Sequence, residues 1–241
     1  MSEALKQVSE RVWFLPAHPE PEKVQPTVGV VIGSDETVLV DAGNTPATAK
    51  LVTAELDRIG APPVAKVVYT HHHWDHVFGA CVYGVEAVSH SLCKQLLEEE
   101  AEKPWGLDFL EAELERDGSL EEMTEVLKKG VQDWSAFEIV VPTTTFDDQL
   151  TLEGDGYCLE LEHVGGRHAQ DSIVVSVVGE SVMFLGDSFY PPPLRLNPTD
   201  TNPDTAMLRR FLETGYETLI DGHSEPFPRA ELEAWLASNA S

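Results

Sequence analysis

Short apolar runs bounded by glycine, proline or polar residues recur along the chain, and they read as strands buried on both faces. The first half predicts strands at about 12–14, 28–33, 36–41 and 66–70. Further strands are expected between about 138 and 189, where Ile173-Val174-Val175 and Val182-Met183-Phe184-Leu185 are the strongest runs. Helical spacing of apolar positions covers 45–59, 203–215 and 229–238. Between these blocks, 91–134 interleaves Glu98, Glu99, Glu100 and Glu111 with Leu96, Leu97, Leu110, Met123 and Leu127 at helical intervals. Pro104-Trp105-Gly106 breaks that stretch into separate helices. It reads either as a lid or substrate wall, or as helices that simply pack on a sheet. Strands bracketed by helices in both halves predict an α+β fold, a four-layer αββα sandwich with two sheets face to face and helices outside. The expected organisation is one domain over 1–241 with a helical insertion at about 91–134.

The strand at 66–70 runs into Tyr69-Thr70-His71-His72-His73-Trp74-Asp75-His76, which packs His71, His73, Asp75 and His76 into one short loop. Imidazole and carboxylate are the groups that zinc and neighbouring transition metals take, and this density suits more than one ion. A purification tag would lie at a terminus, whereas this run is internal and interrupted by Trp74 and Asp75. Four groups cannot close two metal sites, so further ligands must come from elsewhere. Three candidates follow at strand ends beside glycine: His168 after Gly165-Gly166-Arg167, Asp187 after Gly186, and His223 after Gly222.

Together these residues resemble the signature of metallo-β-lactamase-fold hydrolases: His-x-His-x-Asp-His, a distant His, an Asp following Gly, and a last His. The strand and turn Glu36–Gly43 also match the family's segment ahead of the metal loop. The resemblance implies a sandwich of the metallo-β-lactamase type. It further implies one metal held by His71, His73 and His168, a second held by Asp75, His76 and His223, and Asp187 bridging them. Two divalent ions are thereby implied, zinc first and manganese or iron as alternatives. A hydroxide shared between them would attack a carbonyl ester, lactone, lactam or thioester, with Asp75 steering or accepting a proton. His72 and Trp74 alternate with the ligands and are expected to point away from the ions. Asp41 either supports the metal loop or caps a turn at its strand end.

Substrate cues diverge. Tyr190 follows Asp187 by three residues, as in acyl-homoserine lactonases, where a tyrosine hydroxyl assists the oxyanion; alternatively it packs on Pro191-Pro192-Pro193. The stretch Arg167-His168-Ala169-Gln170-Asp171-Ser172 departs from the thioesterase form and looks closer to the β-lactamase one. Yet zinc β-lactam enzymes often carry Cys where this chain has Asp187. A diiron redox group of the fold usually has Glu at the position of His73, so histidine favours hydrolysis. A non-catalytic member would betray itself by a lost ligand, and none is lost.

Charge narrows the partners. Forty-two acidic residues face 16 basic ones, a net charge of −26, which repels nucleic acid and fits a solvated acidic surface. Hydrophobic content of 42% and charged content of 24% are those of an ordinary globular protein. No apolar stretch reaches membrane-spanning length, and the first residues lack a basic-then-apolar leader pattern, so a cytoplasmic location is expected. The expected partner is a small-molecule substrate, with neither nucleic acid nor membrane and with self-association left open. Cys81, Cys93 and Cys158 are odd in number and lack CxxC spacing, which argues against a disulfide framework and a thiolate zinc site. His18, His90 and His163 fall outside the signature and are assigned to surface or core.

Overall fold

The computed structural model describes residues 4–193, 197 and 199–239. Its first sheet is assembled in chain order from β1 (Lys6–Gln7), β2 (Val12–Leu15), β3 (Val28–Ile32), β4 (Thr37–Val40), β5 (Val64–Val68), β6 (Glu86–His90) and β7 (Thr144–Phe146). Strands β1 to β4 are antiparallel neighbours, and β4 to β7 run parallel. Parallel neighbours need crossovers, and these are supplied by α1 (Pro46–Ile59), by the single turn α2 (Trp74–Val77), and by α3 (Ser91–Ala101), α4 (Leu107–Arg116) and α5 (Glu121–Gly130).

The second sheet contains β8 (Gln149–Gly154), β9 (Tyr157–His163), β10 (Ile173–Val177), β11 (Val182–Gly186), β12 (Thr218–Asp221) and β13 (Phe227–Pro228), in the order β13-β12-β11-β10-β9-β8. Only β11 and β12 pair in parallel, joined through α6 (Thr205–Glu213); α7 (Arg229–Ser238) closes the described chain.

Three apolar cores stack between four layers. Val31, Val38, Val40, Val68 and Val88 of the first sheet meet Leu159, Ile173, Val175, Phe184 and Ile220 of the second. The opposite face of the first sheet, with Val30, Leu39 and Val67, is covered by Val52 and Leu56 of α1, Leu97 of α3, Leu110 of α4 and Leu127 of α5. On the outer face of the second sheet, Met183, Leu185 and Leu219 pack on Leu208 and Phe211 of α6 and Leu232 and Leu236 of α7. The four-layer αββα arrangement follows. It also explains the unbroken apolar runs, because strands covered on both faces have no solvated side to alternate toward.

One strand boundary differs from the sequence expectation. The strand expected from 138 begins only at Thr144. Ahead of it, Ile139 and Val140 pack on the outer core, and the Val140 carbonyl accepts the Tyr69 hydroxyl at 3.0 Å. The apolar pattern there serves side-chain packing without a strand partner. At 91–134 the acidic stretch forms three helices, broken at 104–106 as expected. Helix α1 carries its own stop and start signals: Thr45 accepts from the Thr48 amide at 3.3 Å ahead of Pro46, and Gly60 closes the helix at φ 71°. Among the described residues no helix is long and apolar enough to cross a membrane.

Candidate metal centre

Strand β5 ends at Val68, and the following residues turn across the open end of the sandwich, held by one carboxylate. Asp41, immediately after β4, is buried and sits at φ 64°, a strained backbone for a residue with a Cβ. Its Oδ1 accepts the Thr70 amide at 2.7 Å, and its Oδ2 accepts the Thr70 hydroxyl at 2.8 Å and His76 Nδ1 at 2.8 Å. The Thr70 hydroxyl, having given its proton to Asp41, accepts His71 Nδ1 at 3.1 Å. On the far side, His168 Nδ1 donates to the Pro191 carbonyl at 2.9 Å. Each of these bonds engages Nδ1, so His71, His76 and His168 turn Nε2 toward the common centre.

The seven sequence-predicted ligand candidates converge there. They fall into three groups whose donor atoms lie within 4.8 Å of one another: His71, His73 and His168; Asp75, His76 and His223; and His71, His76 and Asp187. His168 Nε2 stands 3.0 Å from His73 Nδ1. Asp187 Oδ2 lies 3.3 Å from His168, 3.2 Å from His223 and 3.5 Å from His76, so one carboxylate oxygen reaches both triads. Asp75 Oδ2 is 3.4 Å from His223 and 3.5 Å from His76. His71 Nε2, His76 Nε2 and Asp187 Oδ1 are fully buried and have no hydrogen-bond partner. His71, His76 and Asp187 form one of the three groups, and unpartnered buried polar atoms are costly in a dry interior unless a ligand completes them; nitrogen and carboxylate donors are those a divalent transition ion takes.

Two glycines make room for this cluster. A Cβ on Gly222 would lie 2.0 Å from Asp187 Oδ1 and 2.9 Å from His76 Cε1. Gly186 adopts φ 51°, and a Cβ there would meet the Thr70 side chain at 2.7 Å.

The electrostatics of the metal-free cluster split its histidines in two. Burial drives His71 well below the usual imidazole range and His73 to about 3, so both are neutral donors. Burial opposes charge on His76 and His223 too, but the carboxylates of Asp187 and Asp75 outweigh it, with Asp41 adding to the effect at His76. His76 is raised well above its ordinary value and His223 to about 10. Burial likewise opposes ionisation of Asp187, yet His223 and His76 hold it well below the usual carboxylate range. In linkage terms, the raised pair stabilises the metal-free fold fully below the unfolded imidazole pKa of about 6.5, and that contribution fades as pH rises toward the folded value near 10. An ion must displace those protons. Titration calorimetry with zinc at pH 7.5 is expected to show release of about two protons, declining as pH approaches 10, with affinity rising over the same interval. A binding enthalpy independent of buffer ionisation at pH 7.5 would contradict this.

The remaining sequence candidates are also placed. His72 turns from the cluster: its Nδ1 meets Asp171 Oδ1 at 2.9 Å and its amide donates to Asp171 Oδ2 at 2.8 Å. Burial works against the Asp171 charge, but the His72 bond holds its pKa below the ordinary value. Trp74 packs edge-on to Phe78 with ring centres 6.3 Å apart. Tyr190 lies between His168 and His223, at centroid distances of 6.0 and 5.9 Å. Burial, then the charges of Asp221 and Asp187 and a hydrogen bond with Asp221, raise its pKa and keep its hydroxyl protonated. His90 and His163 stack on each other at 3.8 Å, apart from the clusters. All three cysteines are free, and none enters a cluster.

Residues the sequence did not single out complete the support. Thr70 relays Asp41 to His71, Asp171 fixes His72, and Asp221 accepts the His223 and Ser224 amides at 3.0 and 2.7 Å. The signal for the two aspartates was a carboxylate beside an apolar run, at Asp171-Ser172-Ile173 and Leu219-Ile220-Asp221.

The profile of the metallo-beta-lactamase superfamily matches residues 22–223. The chain belongs to this superfamily. Solved structures of the same fold include a metallo-beta-lactamase from Pontibacter korlensis at 18% identity and TM-score 0.62, covering 97% of this chain and 96% of that one. A metallo-beta-lactamase from Erythrobacter litoralis matches at 20% identity and TM-score 0.63, over 98% and 96% of the two chains. A stereoselective inverting sec-alkylsulfatase from Pseudomonas sp. matches at 17% identity and TM-score 0.70, over 98% of this chain but 40% of its own. At these identities the likeness is one of fold. Among curated proteins, none matches the chain in sequence.

Proposed function

We propose that the chain is a metal-dependent hydrolase acting on a carbonyl ester, lactone, lactam or thioester. His71, His73 and His168 would hold one divalent ion, Asp75, His76 and His223 a second, and Asp187 would serve both. The observation that supports this reading is the clustering of His71, His76 and Asp187, each with a buried polar atom that has no hydrogen-bond partner, beside two further groups of imidazoles and carboxylates. An imidazole-rich, oxygen-completed donor set suits zinc first, with manganese or iron next. When bound, divalent ions supply an acidified water and Lewis-acid polarisation of a substrate oxygen.

The protein's own groups then have distinct tasks. The Asp41–Thr70 relay fixes which nitrogen of His71 and His76 faces the cavity. Asp75, buried between His76 and His223, is lowered in pKa by them despite its burial and is ionised at neutral pH, able to orient water or accept a proton. Tyr190 keeps its proton and stands between His168 and His223, where it can turn from Asp221 to donate a hydrogen bond to a developing oxyanion.

The deciding experiment is hydrolysis by the zinc-reloaded protein of an acyl-homoserine lactone, a β-lactam, an acyl thioester, a phosphodiester and an alkyl sulfate, the last prompted by the alkylsulfatase neighbour. Turnover of a carbonyl substrate that vanishes with chelation supports the reading; turnover confined to the phosphodiester or sulfate ester overturns it. For Tyr190→Phe, kcat on the accepted substrate is expected to fall about 10- to 100-fold with KM little changed. An unchanged kcat would return Tyr190 to a packing role.

A further inference from the structure

Beside the metal loop, a cleft of about 340 Å³ opens against His72, His73 and Trp74, and its opposite wall is formed by α3, α4, α5 and the turns joining them. The helices at 91–134 thus do two things at once: their inner leucines cover the first sheet, and their other side faces the candidate site. The apolar lining includes Trp74, Phe78, Trp105, Phe109 and Met123. Trp105 is set in place rather than loose, because its indole N–H donates to the Glu100 carbonyl at 2.8 Å and its ring stands edge-on to Phe78 and Phe109 at 4.9 and 5.2 Å. A rigid aromatic wall of this kind binds an apolar group with little ordering cost.

The charges in the cleft are one-sided. Glu100, Glu113 and Glu122 line it with a single cation, Lys103. That cation is already engaged by Glu100 at 2.6 Å, Glu113 is bridged to Arg116 at 2.9 Å, and Glu122 has no ion pair among the described residues. An arriving carboxylate, phosphate or sulfate would find no unpaired cationic side chain along the cleft and would stand against Glu122, in a chain whose net charge is −26.

We propose that this cleft is the subsite for the arm of the substrate next to the scissile carbonyl, and that it selects a neutral, largely apolar arm and rejects an anionic one. The proposal rests on the hydrolase reading above for its chemistry, but the selection itself belongs to the cleft and can be measured without turnover. Trp105 and Phe109 supply the contact surface, while Glu122 supplies the discrimination against negative charge.

The test has two arms on the full-length protein. In the first, intrinsic tryptophan fluorescence is titrated with octanamide and with the same chain ending in a carboxylate. Octanamide is expected to bind about tenfold more tightly, Trp105→Ala to weaken it about tenfold, and Glu122→Lys to narrow the gap between the two probes at least about threefold. In the second, kcat/KM of the zinc-loaded protein is compared across p-nitrophenyl acyl esters from acetate to octanoate and on a carboxylate-ended octanoate analogue. The expected result is a rise of about tenfold or more with chain length, carried mainly by KM, and a similar loss on the anionic analogue. Selective octanamide binding without ester hydrolysis would support the cleft assignment and count against the hydrolase reading alone. Equal binding of the two probes, or discrimination unchanged by the exposed Glu122→Lys substitution, would overturn the cleft proposal even if hydrolysis is found.

Discussion

Asp187→Ala is expected to fold, to lose bound zinc, and to hydrolyse the accepted substrate at least about a thousandfold more slowly than the parent. The reason is positional. Asp187 Oδ2 is within 3.5 Å of His76, His168 and His223, so it is the carboxylate that touches both histidine triads. Removing it takes away the carboxylate that pairs with His76 and His223 and the oxygen closest to both groups of candidate ligands. The metal-free variant should also change its titration. Without this anion, burial would pull His76 and His223 back down, since Asp187 is the foremost group holding both up. Metal content by elemental analysis, circular dichroism and turnover check the three parts. Full zinc content with parental turnover would sink the ligand assignment.

Gly222→Ala is expected to be as damaging through one methyl group. The added Cβ would stand 2.0 Å from Asp187 Oδ1, and Asp187 is enclosed on all sides and cannot swing away into solvent. Either the loop after β12 shifts and takes His223 with it, or Asp187 leaves its place against His76. Overpacking of this kind costs about 1–3 kcal/mol, which for a chain of this size lowers Tm by roughly 3–10 °C. The sharper readout is the response to metal. Zinc should raise the Tm of the parent protein and leave that of the variant almost unmoved, because the shift scales with occupancy. An equal zinc-induced rise in both would show that the Gly222 backbone does not bound the metal-binding space.

The layers were legible because their chemistry is local. Strands such as Val28–Ile32 and Val182–Gly186 are covered on both faces, so their sequences are unbroken apolar runs that no helix of this length would share. The candidate site was legible for a different reason: His71, His73, Asp75 and His76 crowd one loop, and His168, Asp187 and His223 each stand at a strand end next to glycine. What escaped was the scaffolding between distant segments. Nothing in the local pattern pairs His72 with Asp171, 99 residues away, and nothing ties Thr70 to Asp41 across 29. The apolar stretch at 138–143 misled because side chains that pack on a core look the same in sequence whether or not their backbone has a strand partner. The helices at 91–134 were ambiguous between wall and cover; in the structure their leucines cover the first sheet, and residues of the same helices line the cleft beside the candidate centre.

The candidate ligands are divided between the two sheets: the loop after β5 belongs to the first, and the residues after β11 and β12 to the second. Two backbone bonds already tie the layers along that edge, from Ile173 N to the Thr70 carbonyl at 2.9 Å and from Thr27 N to the Gly222 carbonyl at 2.7 Å. On the proposed ligation, a bound ion would act as a rivet through that seam, resisting the sliding of one layer over the other that apolar contact alone permits. Chelation would then do more than remove a reactant, since it would unfasten the edge on which His71, Asp187 and His223 are aligned.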